Sequence, residues 1–75
     1  MEAKGFTAIV MKETGGYSAL CPELDVASQG DTIEAAAANL REAVELFLEY
    51  ADPSEIEERL HGEVFVTRFE AASHG

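Results

Sequence analysis

Between residues 31 and 51, apolar side chains recur at gaps of three and four: Ile33, Ala36, Ala37, Leu40, Ala43, Val44, Phe47, Leu48 and Ala51. That spacing puts one continuous stripe on one face of a 3.6-residue turn, so it predicts an amphipathic helix over Asp31 to Tyr50. The opposite face carries Glu34, Asn39, Arg41, Glu42, Glu45 and Glu49. Such a helix spans roughly 27 Å at about 1.5 Å per residue, enough to cover a small sheet. Thr32 is the expected N-cap, with Asp31 as its rival. Asp31 and Glu34 complement the positive end of the helix dipole. The Ala35–Ala38 run favours helix and is slim, which lets the helix sit close to its neighbours. The stripe must be buried, and the flanking strands are the partners the chain offers.

Those strands follow from alternation. Phe6 to Met11 is rich in strand formers and has few polar residues on either face, which predicts a central strand. Lys12 to Gly16 ends in two glycines and reads as a hairpin turn. Tyr17 to Cys21 is a second strand with Tyr17, Ala19 and Cys21 on one face. Pro22 ends it, having no amide to give to a ladder. Leu24 is expected to plug the end of the sheet, and Val26 to Gly30 is a short third strand. After the helix, Asp52-Pro53 both stops it and starts another, with Asp52 as N-cap and Pro53 at the first helical position. Ser54 to Leu60 gives two turns, with Glu55–Arg59 as a surface pair and Gly62 as C-cap. Glu63 to Glu70 alternates again: Val64 and Val66 on one face, Phe65, Thr67 and Phe69 on the other. The expected fold is α+β in the order β-β-β-α-β, with the short helix before the last strand. An antiparallel three-stranded meander is joined by a C-terminal strand and covered on one face by the long helix.

Composition narrows the function. Seventy-five residues make one domain, 1–75, with a modest core and no disulfide, because Cys21 is the single cysteine. Five Lys+Arg against 15 Asp+Glu give a net charge of −10. This disfavours a phosphate backbone or an anionic membrane surface as direct partner and favours a basic protein. An acidic coat that keeps a small protein in solution is the simpler account of the same charge. No signal-peptide pattern opens the chain and no run is long enough for a membrane span, so the expected compartment is a reducing cytoplasm.

Candidate chemistry is thin. Glu42, Glu45 and Glu49 line the outer helix face, but a metal-dependent nuclease needs acids converging from strands. The strands offer Glu13, Glu23, Asp25, Glu63 and Glu70, mostly at their ends. A solvated or partner-binding helix face is therefore the better reading, with no metal and no cofactor. Cys21 and His61 lack a third, orienting group, so Cys21 reads as a packed thiol and His61 as a cation at a helix C-terminus. Gly15, Gly16 and Gly30 serve turns and make no phosphate cradle. No catalytic residue is assigned. The candidate partner-binding carboxylates are Glu23, Asp25, Glu42, Glu45 and Glu49. Val64, Phe65, Val66 and Phe69 are the candidate oligomer interface, since an apolar edge strand in a small domain invites pairing with a second copy to form a homodimer or tetramer.

Gly16-Tyr17, the block Leu20 to Glu34 with its Ser28-Gln29-Gly30-Asp31-Thr32 core, and then Ala36, Asn39-Leu40, Glu42-Ala43 and Leu46 to Glu49 resemble the HicB-type antitoxin family, the small UPF0150-like domains. The resemblance covers roughly residues 5 to 50. It implies a reduced ribonuclease-H-like domain that neutralises a small basic mRNA-cleaving toxin of the HicA type by binding it and covering its catalytic histidine. Two departures stand out. Many members carry a Pro-Gly pair after the position of Leu24, where Asp25 here stands in a shorter loop. Many also carry a C-terminal DNA-binding region, and with the sequence ending at Gly75 none is expected.

Overall fold

The computed structural model describes residues 5–60 and 62–73. Three strands, β1 (Ile9–Glu13), β2 (Gly16–Cys21) and β3 (Val26–Gly30), form an antiparallel sheet in the order β1-β2-β3. Two helices follow, α1 (Ile33–Tyr50) and α2 (Pro53–Arg59). The fold is α+β, with the meander and the covering helix where the apolar pattern put them.

Register comes from the turns. Glu13 pairs with Gly16, which leaves Thr14-Gly15 as a two-residue turn. Gly15 takes φ +85°, a conformation that costs glycine nothing. Cys21 pairs with Val26 across the second turn. There Asp25 sits at φ 56°, one of the few side chains that tolerate the left-handed region. Leu24 is fully buried beneath this turn, and its N–H reaches back to the Cys21 carbonyl at 3.4 Å.

This register puts Val10, Tyr17, Ala19, Cys21 and Val26 on the face under α1. The core joins Ala19, Cys21 and Leu24 of the sheet to Ala36, Leu40 and Val44 of α1. Ala37, Ala43, Phe47 and Ala51 are half-buried along the stripe, while Ile33 and Leu48 at its margins are exposed. Thr32 caps α1 as expected, its Oγ1 accepting from the Ala35 N–H at 3.0 Å. Asn39 adds a tie the pattern did not foretell, donating from Nδ2 to the Gln29 carbonyl at 2.8 Å.

The helix rests closely on the end of β3. A Cβ added to Gly30 would stand 2.5 Å from the Ala36 nitrogen and 2.7 Å from the Ala35 carbonyl carbon, both backbone atoms that cannot swing away. Gly30→Ala therefore has to lift the first turn of α1. It is expected to cost about 1–3 kcal/mol, read as a lower urea midpoint with an unchanged slope.

Several expectations are corrected. The first strand begins at Ile9, not Phe6, and is an edge of the described sheet, not its centre. The reason lies at the other end of the chain, because the C-terminal strand expected over Glu63 to Glu70 does not form. Residues 63–73 are without helix or strand, and no described strand pairs with them. A strand exists only by pairing, so alternation alone could not make one there. The second helix ends at Arg59 with Leu60 as its cap, ahead of Gly62, and Asp52 makes no side-chain cap bond. Arg59 does not reach Glu55; its guanidinium stands 5.3 Å from the Phe47 ring centroid, an aromatic contact in place of the surface ion pair. His61 and His74 lie outside the described residues, so the Cys21–His61 pairing does too.

Candidate functional site

The helix lies across β3 and β2 and barely reaches β1. Because β1 has no outer neighbour among the described strands, a groove opens between the start of that edge, the flank of α1 and the two turns of α2. Its volume is about 940 Å³. One wall is the flank of α1, with Ala37, Leu40, Val44 and Leu48; Phe6 and Ala8 form the sheet side. Ile56 and Leu60 close the end contributed by α2. Arg41, Glu45 and Glu49 stand at the rim. The lining is mostly apolar, with Thr7 and Cys21 on the sheet side and charge at the edge, which suits an apolar side chain.

A polar knot fixes the groove's sheet side. Glu23 turns inward from the β2–β3 turn and accepts from the Thr7 N–H at 3.0 and 3.1 Å and from the Thr7 hydroxyl at 2.6 Å. The Cys21 thiol donates to the same carboxylate at 3.4 Å. The two Thr7 donors tie the chain at residue 7 to the turn, ahead of the first ladder pair at Ile9. Partial burial pushes the Glu23 carboxyl up, but the Thr7 hydroxyl and amide outweigh it, and the group lies below the ordinary carboxylate range. Burial pushes the Cys21 thiol up, and the neighbouring Glu23 carboxylate adds to that, so it is a packed thiol and not a reactive one.

The sign of the linked stability follows. A carboxyl whose folded value is depressed stabilises the fold above its unfolded value, and that contribution is lost as pH falls through the folded one. Glu23→Gln is therefore expected to lower stability at neutral pH and to remove one component of the decline on acidification. Urea midpoints of both proteins measured from neutral to strongly acid pH should converge at the acid end.

The five candidate carboxylates occupy different settings. Glu42, Glu45 and Glu49 share the outer arc of α1 and are exposed, with Glu45 and Glu49 overlooking the groove. Glu45 Oε2 stands 3.5 Å from Arg41 Nε, and both side chains are mostly in water, so this pair is worth little. Asp25 is exposed at the turn. Glu23 is half-buried and engaged by the knot, which the sequence pattern did not indicate; its spacing two residues after Cys21 was the available signal. Of the candidate interface residues, Phe65, Val66 and Phe69 are exposed by 82%, 61% and 85%, and Val64 is half-buried. Among the described residues, no three His, Cys, Asp or Glu side chains gather as a metal site. None of the described helices is long and apolar enough to cross a membrane.

Two UPF0150 proteins of Synechocystis sp. are similar to this chain. One is 50% identical over 46 residues, covering 59% of this chain and 58% of its own length. The other is 46% identical over 50 residues, covering 65% of this chain and 69% of its own length. The chain thus spans little more than half of the first relative and about two thirds of the second. No family model and no solved structure matches it.

Proposed function

The chain belongs to the UPF0150 family, and from that premise we propose that it is a protein-interaction module of the HicB antitoxin type. It binds and silences a small basic mRNA-cleaving protein of the HicA type, and it acts by recognition without catalysis. The observation that carries this reading is the outer face of α1. Burying Ala36, Leu40 and Val44 turns Glu42, Glu45 and Glu49 together into water on a rigid helix, in a chain of net charge −10. A fixed row of carboxylates draws a basic partner in and holds its orientation. The family-like block from Gly16 to Glu49 supports the choice of an RNase as that partner. The compartment is the reducing cytoplasm where mRNA is found.

The test is an RNA-cleavage assay with the basic protein encoded in the adjacent reading frame. Equimolar addition of this chain is expected to stop cleavage, and high salt to restore it. Cleavage that continues in the presence of excess chain overturns the proposal.

A second reading, a homo-oligomeric domain with a structural or ligand-binding role, is favoured by the exposed apolar segment after α2. A stable assembly that leaves the basic RNase active would select it.

A further inference from the structure

Residues 63–70 and the groove beside β1 have complementary properties that one copy leaves unsatisfied. The segment is apolar on both alternating faces, Val64 and Val66 against Phe65 and Phe69, as in a strand covered on both sides. Yet Phe65, Val66 and Phe69 are largely in water. On the other side, β1 presents an outer edge that no described strand pairs, flanked by apolar surface on both faces of the sheet. The groove lies on the helix side, and Ile9, Met11 and Leu20 lie on the open side, where Ile9 and Leu20 are register partners. We propose that the segment 63–70 of a second copy of this chain adds to the outer edge of β1, and that the exchange is reciprocal. One alternating set of its side chains fills the groove and the other joins Ile9, Met11 and Leu20.

Three observations favour a second copy over the chain's own tail. First, the molecule measures 50 × 28 × 19 Å, and its radius of gyration is 14.7 Å. A compact chain of this length has about 11 Å. Eight extended residues reach about 26 Å, enough to account for the excess of the long axis over the second. The exposure of Phe65, Val66 and Phe69 likewise sets the segment off its own body. Second, Ile56 and Leu60 of α2 close one end of the groove, and among the described residues none after Leu60 lines it. Third, the charges suit exchange. Arg68 shares an alternating face with Val64 and Val66, and where that face turns to the groove it meets the rim that carries Glu45 and Glu49.

The gain is adequate for a stable dimer. Four phenyl groups bury about 600–1,000 Å² by themselves, before the groove walls are counted, against about 1,600 Å² in a standard interface. The pairing also satisfies the outer edge of β1, a backbone row that otherwise invites irregular association. Reciprocal exchange is isologous and closes at two copies. This inference does not depend on the RNase partner, since it concerns the assembled state of the chain alone.

Sedimentation of the full chain together with a mixed-label NMR sample, half the molecules carbon-13 labelled, tests it. The expected result is a dimer with intermolecular NOEs from the Phe65 or Phe69 ring to side chains of Ala8, Leu48, Leu60 or Ile9. Phe65→Ser/Phe69→Ser is expected to weaken the dimer by about a hundredfold or more, with the helical circular dichroism of α1 retained. A chain that is monomeric at NMR concentration overturns the proposal. So does a ring-to-groove NOE found within one molecule only, or a dimer whose phenyl rings make no intermolecular contact.

Discussion

Leu40→Ala is expected to remove about 2–5 kcal/mol, a large part of everything that holds this fold together. A chain of 75 residues has a total stability of only about 4–11 kcal/mol. Leu40 is 3% exposed at the middle of the α1 stripe, and it also forms part of the groove wall. Its removal opens space that the sheet has little means to fill, because the core residues of the central strand, Ala19 and Cys21, are small and anchored there. Much of the population should be unfolded at body temperature, with loss of the helical signal and of the buried Cys21's resistance to thiol reagents. Measurements belong at matched protein concentration, since self-association feeds into the apparent stability. A midpoint shift below about 1 kcal/mol would mean that α1 does not depend on this face for its place.

The second large effect concerns recognition. Replacing Glu42, Glu45 and Glu49 together by lysine reverses the sign of the outer α1 arc without touching a buried atom. Fold stability should change by less than about 1 kcal/mol, because surface charges of this kind contribute little. Affinity for a basic partner should fall by about a hundredfold or more, since like charges now face each other across the contact. The expected signature is a much slower association rate and a reversed salt dependence. Equal affinity before and after reversal would move the binding face elsewhere. Two of the three changes, Glu45 and Glu49, lie at the groove rim as well, so Glu42→Lys alone is the variant that separates partner binding from the exchange of residues 63–70.

The covering helix was legible because its information is local. The gaps between Ala36, Leu40 and Val44 state a helical period, Thr32 states where it starts, and Asp52-Pro53 states where it stops. Leu24 was legible because an apolar residue inside a short polar turn has one way to leave water. The role of β1 was not legible, since whether a strand is central or at an edge depends on a partner distant in the chain. The same limit explains residues 63–70: the strand that their alternation predicts requires a neighbour, and no described strand pairs with them. Glu23 was missed because composition treats every exposed-looking carboxylate alike, while only the folded turn brings Thr7 within 2.6 Å of it. The left-handed Asp25 is a tolerance of its side chain, not a demand that a pattern expresses. The groove was invisible because it arises from what α1 fails to cover.

Calorimetric titration of the intact chain with the basic protein of the adjacent reading frame, at low and at high ionic strength, probes the central claim most directly: α1 spends one face on the sheet and offers the other to a cationic partner. The account predicts a tight equimolar complex at low salt that weakens steeply as salt rises and is lost on reversal of Glu42, Glu45 and Glu49. No heat of binding at low salt, or binding indifferent to both salt and charge reversal, would contradict it.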